Sequence, residues 1–295
     1  MNIKFNNEQS LMCGRISGLK TPKTGKSKSG ISFLARQGSG PTVVFLHGIG
    51  SSALSFLPIL DFLPGDLNVI LWNAPGYSGS DPEADRWPVP ETYADRLCRF
   101  LDDLELPSVH LIGHSLGTLI AAAFARKHPA RLKSLVLASS AQGYGVPKGA
   151  ALPDKARARL DDLKRLGPRA FAKSRSANLV HDPDANPSLV KAVETVMSDI
   201  DPVGYAQAVH LLASGTLSSD LAQVSVCPGF IIGAQDKITP IEQTKQAARA
   251  WEMAHGRTPS IYMIKGAGHA VYLQATQNFC AAVMALMQAR QHKET

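Results

Sequence analysis

Short apolar runs alternate with amphipathic stretches along the chain from residue 31 onward. The apolar runs contain β-branched residues and are bounded by Gly and Pro, which favours buried strands. The stretches between them have helical spacing: residues 91–104, for example, place Leu97 and Leu104 on one helical face. Such alternation predicts an α/β fold with a largely parallel sheet covered by helices on both faces. The predicted strands are 31–36, 42–46, 67–72, 108–112, 132–137, 230–232 and 261–264, and the predicted helices are 54–63, 91–104, 116–128, 241–252 and 276–290.

The pattern changes between residues 141 and 215. No strand is predicted there, and residues 156–166 and 188–199 have helical spacing with Pro, Gly and Asp between them. We interpret this segment as a helical cap over the carboxyl edge of the sheet, and further helices packed on the sheet are the alternative. The predicted organisation is a basic flexible segment at 1–30, an α/β core made of 31–140 and 216–295, and a helical cap insertion at 141–215.

The pentapeptide at residues 113–117, Gly-His-Ser-Leu-Gly, matches the pattern G-x-S-x-G. In that pattern a serine stands on a sharp turn between a strand and a helix, and its neighbours must be small because the turn leaves no room for side chains. The flanks fit, since an apolar run precedes the pentapeptide and an alanine- and leucine-rich stretch follows it as far as Pro129. The pattern predicts a nucleophile elbow that carries Ser115.

A serine hydroxyl is a weak nucleophile at neutral pH and needs a base, which in turn needs an orienting acid. Asp236 and His269 each lie just after a predicted strand. Because the carboxyl ends of parallel strands meet at one edge of the sheet, we predict that Ser115, Asp236 and His269 lie together there. The alternatives are a turn-forming or helix-capping role for Asp236 and a solvated loop position for His269.

A tetrahedral intermediate also needs hydrogen-bond donors for its oxyanion. The backbone N–H of Leu116, directly after the serine, is one candidate. The second is the N–H of Ile49, where Gly48 and Gly50 let the backbone approach a substrate. His47 is expected to hold this loop rather than to transfer protons. A plain glycine turn is the alternative for this stretch.

These motifs, in this order and spacing, resemble those of the α/β-hydrolase superfamily. The resemblance rests on residues 47–50, residues 74–80 (Ala-Pro-Gly-Tyr-Ser-Gly-Ser), the elbow, and the segments that carry Asp236 and His269, and it covers about residues 31–290. It implies an eight-stranded sheet, a helical cap after the sixth strand and Ser–His–Asp chemistry. The turn within residues 74–80 is then mainly architectural.

The resemblance to individual branches of the superfamily is looser. Residues 201–206, Asp-Pro-Val-Gly-Tyr-Ala, are similar to the same region of 3-oxoadipate enol-lactonases and related esterases. Carbon–carbon bond hydrolases of ring-cleavage pathways typically have a longer Gly/Pro oxyanion loop, and a Trp where Ala270 follows His269 here. Dehalogenases and epoxide hydrolases of this fold use Asp where this chain has Ser115.

Composition and charge set further limits on function. The chain has 295 residues and a formal net charge of +7. Most of that excess lies in residues 1–30, which contain six Lys or Arg residues and one acidic residue. The remainder is too close to neutral for a nucleic-acid-binding face. The Gly-Lys-Ser at 25–27 lacks the earlier glycine and the preceding strand of a phosphate-binding loop.

The sequence has no apolar run long enough for a transmembrane helix and no apolar core of a signal peptide. The four cysteines are scattered without metal-binding spacing, which predicts reduced thiols, no metal site and a cytoplasmic location. They are Cys13, Cys98, Cys227 and Cys280.

The leading hypothesis is a cofactor-free serine hydrolase that cleaves a carboxylic ester or lactone of a small molecule through an acyl-enzyme. A carbon–carbon bond hydrolase with the same residues and a non-catalytic ligand receptor on the same scaffold are the alternatives. No nucleic-acid or membrane partner is expected, and the oligomeric state is left open. Arg169, Lys173 and Arg175 could bind a substrate carboxylate, but a solvated basic helix face is the favoured interpretation.

Overall fold

The computed structural model describes residues 22–291 and places eight strands of that range in one sheet, in the order β1-β2-β4-β3-β5-β6-β7-β8. β2 pairs antiparallel with β1 and β4, whereas all pairs among β3 to β8 are parallel. The predicted mostly parallel, eight-stranded α/β fold is therefore confirmed. The strands are β1 (Lys23–Lys26), β2 (Ser32–Arg36), β3 (Thr42–Leu46), β4 (Asn68–Trp72), β5 (Val109–His114), β6 (Leu132–Ala138), β7 (Pro228–Gly233) and β8 (Ile261–Ile264).

Helices pack against the sheet in two groups. The first group contains α1, α2, α6 and α7, which contact one another in succession, and the second pairs α9 with the 3₁₀ helix Ala53–Asp61. None of the helices in the described part of the chain is long and apolar enough to span a membrane. The α-helices are α1 (Pro90–Asp103), α2 (Leu116–Lys127), α3 (Asp154–Arg175), α4 (Pro187–Met197), α5 (Pro202–Ser214), α6 (Leu217–Leu221), α7 (Ile241–His255), α8 (Val271–Gln274) and α9 (Thr276–Gln291), and the remaining 3₁₀ helices are Pro129–Arg131 and Ser176–Leu179.

β5 continues two residues beyond the predicted strand, which ended at residue 112. Gly113 and His114 pair with Leu137 and Ala138 of β6 and are fully part of the ladder. The apolar pattern stops earlier because neither residue is hydrophobic. Their pairing carries β5 directly to the Ser115 turn.

β1 corrects the prediction of a flexible segment that extends to residue 30. Lys23 pairs with Ala35, and Lys26 pairs with Ser32, in an antiparallel register. Three of the four residues of β1 are exposed, so this edge strand has no hydrophobic pattern that could reveal it. Residues 1–21, with Cys13 among them, lie outside the described residues, and the prediction for them stays a prediction.

Three long helices, α3, α4 and α5, lie between β6 and β7. The predicted helix at 156–166 is the first half of α3, which changes direction at Gly167 (φ 70°), just before Pro168. The hydrophobic pattern of the sequence did not predict α5. Most residues of this helix are buried, so it has no polar face that would alternate with an apolar one at helical spacing. Asp201 caps α5 by accepting hydrogen bonds from the N–H groups of Val203 and Gly204.

The segment between β6 and β7 leaves the sheet and returns to it at one place. The N–H of Gly145 donates to the Gly215 carbonyl at 3.0 Å, and the N–H of Val146 donates to the Ala213 carbonyl at 2.9 Å. A further bond of 3.0 Å runs from the Leu217 N–H to the carbonyl of Gln142. These contacts support a cap at 141–215, although the division of the chain into core and cap stays a prediction.

The start of α5 packs directly on the turn that follows β4. A Cβ atom on Gly204 would lie 2.0 Å from the Gly76 carbonyl oxygen, and one on Gly76 would lie 2.4 Å from the Gly204 Cα. The two backbones therefore touch, which requires glycine on both sides. This contact fixes α5 relative to the sheet.

Gly204→Ala is expected to destabilise the protein, although alanine favours a helix over glycine by about 1 kcal/mol. The added Cβ cannot fit beside Gly76, and overpacking of this kind costs about 1–3 kcal/mol. Thermal unfolding should show Tm lowered by roughly 2–10 °C. Gly65→Ala is the matched control, because its Cβ would meet no atom within 4 Å. A Gly204→Ala variant as stable as the parent would contradict the contact.

Candidate active site

Ser115 stands between β5 and α2 in a backbone conformation that L-residues rarely adopt, with φ 53° and ψ −115°. A Cβ atom on Gly113 would lie 2.4 Å from the Gly117 carbonyl oxygen, and one on Gly117 would lie 2.4 Å from the Leu46 carbonyl oxygen. The Ser115 N–H donates to the Ala138 carbonyl at 2.9 Å. A strained residue costs on the order of 1–3 kcal/mol and persists only where its surroundings fix it, as these contacts do.

The structure brings Ser115, His269 and Asp236 into one chain of hydrogen bonds. The Oγ of Ser115 lies 3.0 Å from Nε2 of His269, and Nδ1 of His269 lies 2.9 Å from Oδ2 of Asp236. All three residues are buried. With the Nδ1–H donating to the carboxylate, Nε2 is free to accept the hydroxyl proton.

Asp236 is held as a carboxylate by donors from its own loop. Its Oδ1 accepts the backbone N–H groups of Ile238 and Thr239, each at 2.9 Å, and its Oδ2 accepts the Thr239 hydroxyl at 2.9 Å. Burial raises the pKa of Asp236, but His269 and Thr239 more than offset it, so that the pKa is lowered to about 2. Asp236 thus forms the turn with one oxygen and holds His269 with the other.

Thr239 was not among the predicted site residues. Its hydroxyl lies 3.2 Å from Nδ1 of His269 as well as bonding to Asp236. Its position three residues after an aspartate is the spacing of a side-chain-capped turn, and this was the available signal.

His114 and Ser139 hold the backbone of His269. The Nε2–H of His114 donates to the His269 carbonyl at 2.9 Å, and the Ser139 hydroxyl donates to the same oxygen at 3.3 Å. Burial lowers the pKa of His114 to about 3, so the ring is neutral. Sequence reasoning missed both residues, although His114 ends β5 and Ser139 follows β6 at the same edge of the sheet.

The loop at residues 47–50 is fixed by His47. Its Nδ1–H donates to the Gly48 carbonyl at 2.8 Å, and its Nε2 accepts the Ala74 N–H at 3.0 Å. Burial lowers the pKa of His47 to about 4, which matches a neutral ring with one donor and one acceptor. A backbone bond from Ser51 to Gly48 closes the turn. The loop is thereby tied to the segment after β4.

This loop passes next to Ser115. A Cβ atom on Gly48 would lie 2.9 Å from the Cβ of Ser115 and 3.4 Å from its Oγ. Ile49, Gly50 and Leu116 line the same cavity as Ser115. Leu116 is the first residue of α2, where backbone N–H groups have no partner within the helix.

Two cavities meet at Ser115 and His269. The larger has a volume of about 530 Å³ and extends to residues of α3 and α5, among them Phe171 and Tyr205. The smaller has a volume of about 110 Å³ and extends to the 3₁₀ helix Ala53–Asp61 and to α4. Residues that border both are Ile49, Gly50, Ser115, Leu179, Met197 and His269.

The larger cavity is bordered by cationic side chains, and none of its described lining residues is Asp or Glu. Of the three basic residues singled out in the sequence, only Arg175 borders it, whereas Arg169 and Lys173 are exposed elsewhere on α3. The other cations were not predicted from the sequence, because their place at the cavity depends on how distant segments pack. The cations are Lys155, Arg159, Arg175 and Lys237.

Within residues 22–291, no group of three or more His, Cys, Asp or Glu side chains is placed so that it could hold a metal ion. The described cysteines, Cys98, Cys227 and Cys280, form no disulfide with one another.

The sequence model of the alpha/beta hydrolase family matches residues 43–282, most of the chain. The chain belongs to this family. It is therefore an enzyme of the hydrolase type. A pimeloyl-[acyl-carrier protein] methyl ester esterase from Chromobacterium violaceum is 27% identical over 256 residues, which are 85% of this chain and 96% of that protein.

Solved structures share the fold. An esterase from Thermogutta terrifontis has a TM-score of 0.77 at 21% identity and covers 92% of this chain and 99% of its own. The enol-lactonase from Burkholderia xenovorans LB400 has a TM-score of 0.76 at 18% identity and covers 90% of this chain and 99% of its own. At such identities the likeness shows the α/β-hydrolase fold alone.

Acidification is expected to destabilise the fold through His47 and His114. Burial holds their pKa values, about 4 and about 3, below the ordinary 6.5. Below pH 6.5 the unfolded chain binds protons that the folded protein does not. The free energy of unfolding therefore decreases as the pH is lowered. The fall is at most about 1.4 kcal/mol per pH unit for each histidine. When the pH is lowered from 7 to 4, the Tm of His114→Gln should therefore decrease by less than the Tm of the parent.

His181→Gln is the control for this measurement, since His181 is partly exposed and a histidine is removed in both variants. The Tm of His181→Gln should decrease by as much as the Tm of the parent over the same pH range. Equal losses for His114→Gln and the parent would show that His114 does not contribute to acid sensitivity.

Proposed function

We propose that the protein hydrolyses a carboxylic ester or lactone of a small molecule through an acyl-enzyme on Ser115. The observation that carries this proposal is the chain of hydrogen bonds from Ser115 through His269 to Asp236. It begins at a strained serine that borders two cavities and ends at a buried, ionised carboxylate. Nothing in this scheme calls for a cofactor.

In the first half of the reaction, Nε2 of His269 takes the hydroxyl proton while Oγ of Ser115 attacks the carbonyl carbon. The charge of Asp236 stabilises the imidazolium through the Nδ1–H bond. Collapse of the tetrahedral intermediate breaks the bond to the alcohol oxygen, which receives the proton from Nε2. In the second half, Nε2 takes a proton from water as the water attacks the acyl group, and returns it to Oγ as the acid leaves.

The backbone N–H groups of Ile49 and Leu116 are the proposed oxyanion donors. Leu116 lies at the positive end of the α2 dipole, and the Ile49 loop is held by the two bonds of His47. Donors fixed before the reaction need no reorganisation when charge develops, and each is worth about 10²–10³ in rate.

The names of similar proteins support ester or lactone hydrolysis. The relative from Chromobacterium violaceum is named a methyl ester esterase, and the two fold neighbours are an esterase and an enol-lactonase. Carbon–carbon bond hydrolysis remains the alternative, against which the short 47–50 loop and Ala270 count. A ring-cleavage dienoate assayed beside simple esters and lactones separates the two, and we expect the esters or lactones to be the better substrates.

Ser115→Ala is expected to lose ester hydrolysis by on the order of 10⁴-fold or more, because the acyl acceptor is gone. A fluorophosphonate probe should label the parent stoichiometrically and leave Ser115→Ala unlabelled. Ser225→Ala, which removes an exposed hydroxyl before β7, is the matched control and should behave as the parent. Absence of labelling in the parent would instead favour a non-catalytic ligand receptor.

Asp236→Asn is expected to lower kcat by about 10³–10⁴-fold while the Ser115–His269 pair stays in place. The asparagine amide would donate to Nδ1 of His269 and move the ring proton to Nε2, where it can no longer accept the hydroxyl proton. Steady-state kinetics on a short acyl ester measures the loss, and Asp199→Asn at an exposed aspartate is the control. Equal kcat values for Asp236→Asn and the parent would remove Asp236 from the mechanism.

A further inference from the structure

The larger cavity carries an excess of positive charge. Its described lining contains two lysines and two arginines and no acidic side chain. A cleft lined by one sign of charge concentrates ligands of the opposite sign. The four cations differ, however, in how far neighbouring groups already engage them.

Arg175 is engaged on two sides. Its Nη2 bonds to Oδ2 of Asp162 at 3.0 Å, and its guanidinium lies 4.6 Å from the ring centre of Phe171. Lys155 and Lys237 border the cavity but are exposed to solvent. These three side chains contribute to the field, but none combines partial burial with an unneutralised charge.

Arg159 does combine the two. It is partly buried, and its Nη1 donates to the Tyr205 hydroxyl at 3.5 Å. Among the residues that the structure describes, no carboxylate forms an ion pair with it. A guanidinium has five N–H donors in a planar fork, so most of them remain available to a ligand.

Tyr205 gives Arg159 a rigid support. The Tyr205 ring is 1% exposed and packs edge-on against Phe171 with 5.3 Å between ring centres. Tyr205 follows Gly204, whose contact with Gly76 fixes α5 on the sheet. The Tyr205 hydroxyl therefore has a fixed position, and the guanidinium of Arg159 lies beside it in the cavity that Ser115 also lines.

The smaller cavity, called the smaller pocket below, differs from the larger one in the charge of its lining. None of its described lining residues is Lys, Arg, Asp or Glu, and Leu54, Val193, Val196 and Leu273 are among them. Its volume of about 110 Å³ is below the roughly 150 Å³ of a cavity that holds benzene. It therefore suits a group of only a few carbon atoms.

We propose that the substrate is an ester or lactone bearing a carboxylate, which Arg159 binds in the larger cavity, with the short apolar part of the substrate in the smaller pocket. A carboxylate matches the planar fork of a guanidinium and accepts two parallel hydrogen bonds from it. This assignment rests on the proposed function and names the substrate class of that same site.

The first test compares pairs of substrates in which a free carboxylate of the anionic member is replaced by a methyl ester in the neutral member. Monomethyl esters of succinate, glutarate, adipate and suberate are compared with the dimethyl esters, and acetoxy acids with their methyl esters. At least one anionic member should exceed its neutral counterpart by about tenfold or more in kcat/KM. The preference should shrink as salt is added.

The second test removes the charge of Arg159. Arg159→Met should lower the anionic-to-neutral ratio of kcat/KM by about tenfold, mainly through KM, and Arg159→Lys should restore part of it. Arg169→Met is the matched control: it removes one charge from the same helix at an exposed position outside the cavity and should leave the ratio unchanged. Thermal unfolding of all variants checks that they are folded.

A binding readout separates recognition from chemistry. Calorimetric titration of Ser115→Ala with the preferred monomethyl ester should show binding that is weakened about tenfold or more when Arg159→Met is added. If neutral esters are hydrolysed as well as anionic ones at every length, or if Arg159→Met leaves the ratio unchanged, the carboxylate assignment is overturned while ester hydrolysis stands. If no ester is hydrolysed and Ser115 is not labelled, the proposed function itself fails.

Discussion

The close packing of backbone around the Ser115 turn is the constraint on which the site depends. Gly113 touches the first turn of α2, and Gly117 touches the end of β3, so strand, turn and helix fit only without side chains at both positions. The same packing holds Ser115 at a positive φ and aims its hydroxyl at His269. A looser junction would let the serine relax to an ordinary conformation, and the hydrogen-bond chain to Asp236 would lose its first member.

Most of the other site contacts hold loops to this fixed point. His47 ties one loop to the segment after β4, and His114 and Ser139 tie the His269 backbone to the ends of β5 and β6. Both histidines are buried and neutral, so they supply directed hydrogen bonds without adding charge beside Asp236. The carboxylate of Asp236 is thus the only charge that needs compensation in the chain of bonds, and its own loop supplies the donors.

The region beyond the sheet edge is organised by a second close contact. Gly204 meets Gly76, which places α5 and its Tyr205, and the Tyr205 hydroxyl accepts a hydrogen bond from Arg159 of α3. One cavity there is bordered by cations and the other by apolar side chains, and both open on the same serine. In our proposal the substrate is therefore selected by elements that take no part in proton transfer.

The sequence by itself determined the order of strands and helices in the core, the elbow, and the positions of Asp236 and His269 after two strands. These features have local causes: apolar period, breakers, and the rule that parallel strands end at one edge. The polar edge strand β1 and the buried helix α5 lack a periodic pattern, so pairing and packing decided them. The spacing after Asp236 is a local signal for the Thr239 turn, but only tertiary structure brought that turn to His269 and Arg159 to the cavity, because such approaches depend on how distant segments dock.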